Sequence, residues 1–223
     1  MSWFQLDPQS IAGRTTAGTE IPSLSASLRR GMVGFTLVAL GGFAPWALFG
    51  RWFYRTAGEV WLYVACAIVF IALSGVLLHR LIIGAGSVAR FYKLFSISFA
   101  AYSVGWTLGW MSLRGDVGSL AGLLAGTTAM GLILATAFGA TGNSIKIIAA
   151  LFTLNSLGYF AGQWITGILG MPGSSIDTML SRPVLITIGK LLWGFCYGAG
   201  FGAGLGLAFY YCQTRARALL VSR

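Results

Sequence analysis

Polar side chains that form hydrogen bonds recur at helical spacing inside segments that are otherwise apolar. One predicted helix carries four of them at intervals of three or four residues, so that they share one face: Asn155, Tyr159, Gln163 and Thr166. Ser103 lies in an earlier apolar segment that also contains several hydroxyl groups. Such groups can line a hydrated path for a small polar solute or an ion, and they can equally bond neighbouring helices to one another. Both interpretations remain open from the sequence.

The last apolar segment contributes two more candidate path-lining residues, Tyr197 and Lys190. Lys190 is the only basic residue between positions 184 and 212. A lysine within a lipid-embedded helix marks a substrate or anion site, or else extends its ammonium group to the membrane interface. Counting back along the helix from its C-terminal end places Lys190 near the opposite interface, so the second role is open to it as well.

The residues that catalysis and metal binding require are scarce. The chain has five acidic residues and one histidine, His79. Its cysteines, Cys66, Cys196 and Cys212, are widely separated and form no metal-binding motif. The glycine-rich stretch GAGFGAG lies inside an apolar segment with no strand before it, which is not the context of a phosphate-binding loop. We therefore predict a protein that is not an enzyme and that holds no metal and no cofactor.

The elements that must position these residues follow from the composition. Hydrophobic residues make up 57% of the 223 residues and charged residues 9%, with a mean hydropathy of +0.79. Soluble domains carry about 25% charged residues, so this chain cannot cover a water-facing surface. A bilayer core of about 30 Å needs about 20 apolar residues per helix. The sequence contains six such segments and predicts an all-α, polytopic integral membrane protein with a bundle of six transmembrane helices: 31–50, 60–83, 91–113, 119–140, 145–169 and 184–212.

The basic residues predict the orientation of this bundle. Alternate connecting segments collect ten of the fifteen lysines and arginines on one side, and the positive-inside rule assigns that side to the cytoplasm. Both termini are then cytoplasmic, with residues 1–30 as a polar tail, 31–213 as the transmembrane domain and 214–223 as a short basic tail. The ten residues are Arg14, Arg29, Arg30, Arg80, Arg90, Lys93, Lys146, Arg215, Arg217 and Arg223.

The placement of these cations also indicates which kind of partner they contact. They lie at the ends of apolar segments and do not form one block, so they predict contact with lipid headgroups and not with nucleic acid. Three of the five acidic residues fall on the less basic side: Glu59, Asp116 and Asp177. We expect the membrane to be the bacterial inner membrane.

Glycines spaced four residues apart recur in several of the apolar segments. Small residues at this spacing let helix backbones approach closely in lipid, where little hydrophobic force acts between helices. In the last segment they form smooth ridges on either side of an aromatic ridge that contains Trp193, Tyr197 and Phe201. This pattern predicts either a central position in the bundle or an interface with another subunit. The predicted packing glycines are Gly105, Gly109, Gly118, Gly122, Gly126, Gly158, Gly162, Gly194, Gly198, Gly202 and Gly206.

Two classes of function agree with these features. The first is a small channel or transporter that works as an oligomer and passes a small polar solute or an ion. The second is a non-catalytic structural or assembly subunit of a larger membrane complex, packed through its glycine-rich helix faces. In either case the expected partners are the lipid bilayer and other membrane subunits, which are further copies of this chain or different proteins.

Overall fold

Helices account for all the regular secondary structure in the computed structural model, which describes residues 3–16, 18–169 and 180–222. The prediction of an all-α chain is confirmed. Two short helices, α1 (Pro8–Arg14) and α8 (Thr214–Val221), lie near the ends of the chain. The helices between them are long: α2 (Leu24–Thr56), α3 (Glu59–Leu78), α4 (Ser87–Leu113), α5 (Gly115–Ala137), α6 (Ser144–Leu169) and α7 (Arg182–Cys212).

Five helical segments in the described part of the chain are long and apolar enough to cross a membrane: Leu24–Thr56, Glu59–Leu81, Gly115–Ala137, Thr141–Leu169 and Arg182–Cys212. The remaining long helix, α4, has sufficient length, but its serine, tyrosine and tryptophan residues make it less apolar. Large apolar side chains face outward from the bundle, as the exposed fractions of Trp164 (70%) and Ile145 (84%) illustrate. A helical protein inserted in lipid accounts for both observations, because lipid takes the place of water around such a surface.

The long helices pack as a ring in chain order. α7 makes its most extensive contacts with α2 on one side and α6 on the other, and α4 packs mainly against α5. Contacts between α2 and α3, α3 and α4, and α5 and α6 complete the circuit. The short connections explain this order, because a turn of a few residues leaves consecutive helices as antiparallel neighbours.

Glycines of α7 allow its backbone to contact that of α2. A Cβ atom added at Gly198 would lie 2.7 Å from the Cα atom of Thr36, which is closer than real Cβ contacts come. Gly202 meets the backbone of Gly31, and Gly206 meets that of Ser27 in the same way. One of the two smooth ridges of α7 is therefore filled by a helix of the same chain. Gly194, at the start of this ridge, faces the ring of Phe43.

The second smooth ridge of α7 lies against α6. Gly200 and Gly158 face each other so closely that a Cβ atom at Gly200 would lie 2.7 Å from the Cα atom of Gly158. Further along, Gly162 lies against Trp193 and Gly204 against the backbone of Leu151. Both ridges thus contact neighbouring helices of this chain, and neither is left for another subunit.

The α4–α5 pair repeats this arrangement. Gly105 lies opposite Gly126, and Gly109 lies opposite Gly122, with separations from an added Cβ to the facing Cα of 2.9 and 2.5 Å. Gly118 packs against the backbone at the C-terminal end of α4. Close backbone approach supplies the van der Waals contact that holds such a pair together in lipid.

Aromatic side chains fill the inside of the ring, and we refer to them as the aromatic column. The aromatic ridge of α7 turns inward, and Phe201 contacts Phe35 of α2 and Tyr102 of α4 with ring centroids 4.8 and 5.0 Å apart. At the end near the termini, Phe91 of α4 stacks on Phe209 of α7 at 5.7 Å. Further members are Phe70, Phe95, Phe99 and Tyr197.

Gln213 closes the end of the bundle at which the two terminal segments meet. It is 2% exposed, and its side chain accepts a hydrogen bond from the backbone N–H of Ile83 at 2.8 Å. The same side chain donates to the carbonyls of Leu81 at 2.7 Å and Phe209 at 2.9 Å. It therefore ties the α3–α4 connection to the end of α7. The segments α1 and α8 pack against each other at this same end.

The first thirty residues contain more structure than a polar tail implies. α2 begins at Leu24 rather than at residue 31, and Asp7 caps α1 by accepting a hydrogen bond from the Ser10 N–H at 3.0 Å. Leu6 and Ile11 are fully buried. Four of the six predicted apolar segments lie within long helices, whereas 60–83 and 119–140 run a few residues past the C-terminal ends of α3 and α5.

A Gly198→Ala substitution is expected to lower the free energy of unfolding by about 1–3 kcal/mol, because the added methyl group meets the α2 backbone, which cannot move aside without opening the bundle. Denaturation by SDS in mixed micelles measures the change. The matched control is Gly167→Ala in α6, where no atom lies within 4 Å of the added Cβ. Equal stability of the two variants would contradict the assignment.

A Gln213→Leu substitution leaves the buried N–H of Ile83 and the carbonyl of Leu81 without their side-chain partner, and it is expected to destabilise the protein by about 1–3 kcal/mol. Gln163→Leu serves as the control, since the hydrogen bond of Gln163 is exposed. The same SDS titration compares the two, and a smaller loss at Gln213 than at Gln163 would disprove the role of Gln213.

Candidate functional site

A group of polar side chains lies inside the bundle between α4, α6 and α7, and we call it the polar node. It consists of Tyr102, Asn155 and Tyr197. The amide nitrogen of Asn155 donates to the hydroxyl oxygen of Tyr102 at 3.0 Å. The ring of Tyr197 stacks on Phe201, which in turn stacks on Tyr102. Asn155 is fully buried, while Tyr102 and Tyr197 are 5% and 6% exposed.

The hydrogen bonds of the polar node are incomplete. The Oδ1 atom of Asn155 is buried and has no hydrogen-bond partner in the described part of the chain. The hydroxyl oxygen of Tyr102 accepts from the Asn155 amide, and a phenol that accepts still has its own proton to donate. An unpaired buried acceptor costs about 1–3 kcal/mol, so the node is suited to one more polar partner.

Two other members of the predicted polar face bond to α5. The hydroxyl of Tyr159 lies 3.2 Å from that of Ser119, and its ring packs edge-on against Trp193 with centroids 5.4 Å apart. The amide of Gln163 donates to the carboxylate of Asp116 at 2.8 Å in an exposed position. These contacts connect helices, and only Tyr159 lies near the polar node.

The hydroxyls of Thr166 and Ser103 are directed to their own helices. Thr166 donates to the carbonyl of Gly162 at 3.0 Å, and Ser103 donates to that of Phe99 at 2.9 Å. Thr166 also contributes to the wall of a cavity, whereas Ser103 does not. The residues predicted as one path are thus divided among the polar node, bonds between helices, bonds within a helix and this cavity.

The cavity has a volume of about 750 Å³ and lies where α2 and α6 end and α3 and α7 begin, opposite the end closed by Gln213. Aromatic and aliphatic side chains form most of its wall, and two basic residues, Lys190 and Arg182, complete it. The described residues that line it are Phe43, Trp46, Tyr54, Tyr63, Cys66, Thr166, Leu169, Arg182, Leu185, Ile186, Gly189, Lys190 and Trp193.

Lys190 is held against α2 at the wall of this cavity. Its ammonium group donates to the backbone carbonyl of Trp46 at 3.2 Å and lies 4.3 Å from the centroid of the Trp46 indole. An ammonium group over an indole face is stabilised by the quadrupole of the ring. The hydrogen bond to Trp46 uses one of the three ammonium protons and leaves two for other acceptors.

Aromatic rings separate the cavity from the polar node. Phe43 and Trp193, which both line the cavity, meet edge to face with centroids 5.2 Å apart. On its other side Trp193 stacks on Tyr197, with centroids 5.2 Å apart and an angle of 7° between the rings. Trp193 is therefore in contact with both the cavity and the node, and a solute that passed between them would have to displace it.

Sequence reasoning missed several residues of this site. Tyr102 belongs to a series of aromatic residues spaced three or four apart on α4, after Phe95 and Phe99 and before Trp106, and it is the tyrosine of that series. The sequence therefore shows that the aromatic face of this helix carries a hydroxyl group, and this pattern could have identified Tyr102. The contact between Trp46 and Lys190 was not, because nothing in the local pattern of α2 identifies a partner in α7.

Metal ligands do not cluster in the described residues: no three side chains among histidine, cysteine, aspartate and glutamate are placed to hold an ion. The absence of metal and cofactor stays a prediction. The chemistry of the site is that of hydrogen bonding, positive charge and aromatic contact.

Cys66 provides a direct test of the cavity, because it lines the wall whereas Cys212 is 2% exposed near the other end. In lipid nanodiscs, an anionic methanethiosulfonate reagent should modify Cys66 and spare Cys212, as peptide mass spectrometry will show. For each reagent, the rate with Cys66 is divided by its rate with free cysteine. This ratio should be higher for the anionic reagent than for a cationic one, because Lys190 and Arg182 attract the anion. Equal modification of both cysteines, or a preference for the cation, would contradict the described cavity.

No protein-family model matches this chain, and no curated protein or solved structure matches it either. The geometry of the cavity and of the polar node is therefore the basis for the function proposed below.

Proposed function

We propose that this chain is a membrane transport protein for a small polar solute, which enters the cavity and passes by way of the polar node. The main support for the proposal is the side-chain amide of Asn155. It is fully buried in the polar node, and its oxygen has no hydrogen-bond partner among the described residues. Polar residues inside a membrane-embedded bundle face a pathway or one another, and this one has room in its hydrogen bonding for a further group.

The polar node suits a solute that both donates and accepts hydrogen bonds. The Asn155 oxygen accepts, and the hydroxyl proton of Tyr102 donates. A hydroxyl or amide group on the solute satisfies both at once. The neighbouring rings of Trp193 and Tyr197 exclude competing water, which strengthens these bonds.

A carrier fits this bundle better than an open channel. Between the polar node and the end closed by Gln213, the inside of the ring holds the stacked rings of the aromatic column, including Phe201, Phe91 and Phe209. A solute can pass only if helices move and these rings separate. Movement of that kind, with access from one end at a time, is how carriers operate.

The proposal includes six membrane crossings, with both termini in the cytoplasm of a bacterium and the cavity facing the opposite side. Support comes from the fifteen basic residues, of which ten belong to segments at the end where α1 and α8 meet. Of the charged residues that carry this argument, Arg223 and Asp177 lie outside the described residues. The length of α4 and its packing against α5 support a sixth crossing.

A second candidate function is that of a non-catalytic subunit in a larger membrane complex. The outer face of α6 favours it, because a shallow groove there is lined by exposed Trp164 and by Gly167, which has nothing within 4 Å of an added Cβ. Small and aromatic residues on a lipid-facing surface suit contact with another helix. The same groove serves an oligomer of this chain, whereas the packing glycines of α7 contact its own helices.

Transport is tested with purified protein in liposomes. Wild-type protein should accelerate the entry of small solutes that carry hydroxyl, amide or carboxylate groups, and Asn155→Leu should reduce the rate at least tenfold. The SDS titration checks that this variant remains folded, because the substitution removes the hydrogen bond to Tyr102 as well as the unpaired acceptor. Gln163→Leu, whose hydrogen bond is exposed, should transport like wild type.

Two results would overturn the transport proposal. Liposomes that remain impermeable to every such solute would do so, and in that case co-purification of other membrane proteins in mild detergent would favour the subunit. Equal rates for Asn155→Leu and wild type would remove the polar node from any pathway.

A further inference from the structure

We infer that the cavity binds an organic anion with a flat apolar body, its charged group held by Lys190 and Arg182 and its body placed among the aromatic side chains of the wall. This inference rests on the proposed function, because it names the class of solute for the same cavity. It stands on the charge, the shape and the rigidity of the wall.

The two charged residues among the described lining residues are both basic, and one wall residue, Tyr63, donates a hydrogen bond to the carboxylate of Glu59 at 2.8 Å. Lys190 and Arg182 line the cavity, and no carboxylate is among the described residues that line it. The one ion pair in the described part of the chain, between Arg30 and Glu20 at 3.6 Å, belongs to α2 and the segment before it. Arg51 adds a further positive charge that acts on Lys190. The half-buried ammonium of Lys190 has one acceptor among the described residues, the neutral Trp46 carbonyl, so it can take an anion as a further partner.

The shape of the wall selects the rest of the ligand. Five aromatic residues and three aliphatic residues line the cavity beside the two cations: Phe43, Trp46, Tyr54, Tyr63, Trp193, Leu169, Leu185 and Ile186. Small-molecule sites enclose about 300–1,000 Å³ and are mostly apolar with a few placed polar groups, and the volume of about 750 Å³ falls in this range. Flat rings of a ligand pack well against indole and phenol faces.

The position of the Lys190 ammonium is set before any ligand arrives. Its hydrogen bond to the Trp46 carbonyl and its place 4.3 Å from the indole centroid restrict the side chain, so little conformational entropy is lost on binding. The two remaining N–H groups suit the two oxygens of a carboxylate, or those of a sulfonate or phosphate. Gly50 lies beside this ammonium group, which an added Cβ would meet at 3.8 Å.

The experiment measures binding to the full chain in phosphatidylcholine nanodiscs by calorimetry. Indole-3-acetate and the neutral indole-3-acetamide share one ring system and differ in charge. The acid is expected to bind about 10- to 100-fold more tightly than the amide, and Lys190→Gln should remove this preference while Lys190→Arg keeps most of it. The matched control is Lys93→Gln, which removes a lysine whose ammonium lies 5.8 Å from the Trp3 ring at the other end of the bundle.

A second readout keeps the test informative if Lys190→Gln folds poorly. Bound indole-3-acetate should slow the modification of Cys66 in wild-type protein, and indole-3-acetamide at the same concentration should slow it less, because Cys66 lines the same cavity. Equal affinities for acid and amide in wild-type protein, or a preference that survives in Lys190→Gln, would overturn the inference.

The anion can also come from a lipid headgroup, and nanodiscs of phosphatidylglycerol distinguish this source. If indole-3-acetate binds in both lipids, the ligand is a soluble anion as inferred. If phosphatidylglycerol abolishes its binding, the headgroup occupies the site and the assignment to a solute is overturned. In the liposome assay, transport of neutral solutes without anion binding would contradict the inference alone, whereas anion binding by protein that transports nothing would contradict the proposed function and retain the site.

Discussion

Contact between the backbone of α7 and those of its two neighbours is the constraint on which the rest of this bundle depends. Lipid supplies little hydrophobic force between helices, so their association relies on van der Waals contact at short distance. Gly198 and Gly202 permit that contact with α2, and Gly200 permits it with α6. Two faces of α7 are occupied in this way, and its aromatic ridge faces the inside of the ring, where Phe201 contacts Phe35 and Tyr102.

The inward aromatic ridge divides the molecule into two ends with different chemistry. On one side of Trp193 lies the cavity with Lys190, and on the other side lie the polar node and the aromatic column. The far end is closed by Gln213, which is bonded to backbone groups of two other segments. An alternating-access mechanism requires such a division, because a solute site must be shielded from one side while it is open to the other.

The charged residues follow the same division. Most basic residues lie in the connections and near the ends of the long helices. Lys190 is different, because it lies between helices and its described contacts are a carbonyl and an indole ring, both from Trp46. A packing role and a binding role are compatible in this residue: the ammonium that contacts α2 lines the cavity and has two N–H groups with no acceptor among the described residues.

Composition and periodicity alone determined that the chain is helical, that it is apolar enough for a membrane, and roughly where each long helix lies. The predicted segment 145–169 differs from α6 (Ser144–Leu169) by one residue at one end, whereas the segment 31–50 falls well inside α2 (Leu24–Thr56), since polar and basic residues continue that helix beyond its apolar part. Glycine spacing likewise identified the smooth faces of α7, because helical period and side-chain size are local properties.

Only the tertiary structure decided which helices lie in those faces and which polar residues meet. Asn155 and Gln163 share a predicted face, yet Asn155 is fully buried against Tyr102 and Gln163 lies exposed beside Asp116. The partner of Lys190, Trp46, is far away in the sequence. The physical reason is that helical periodicity defines a face but not the rotation of the helix about its axis. That rotation is set by backbone contacts among several helices at once, and no single segment contains the information.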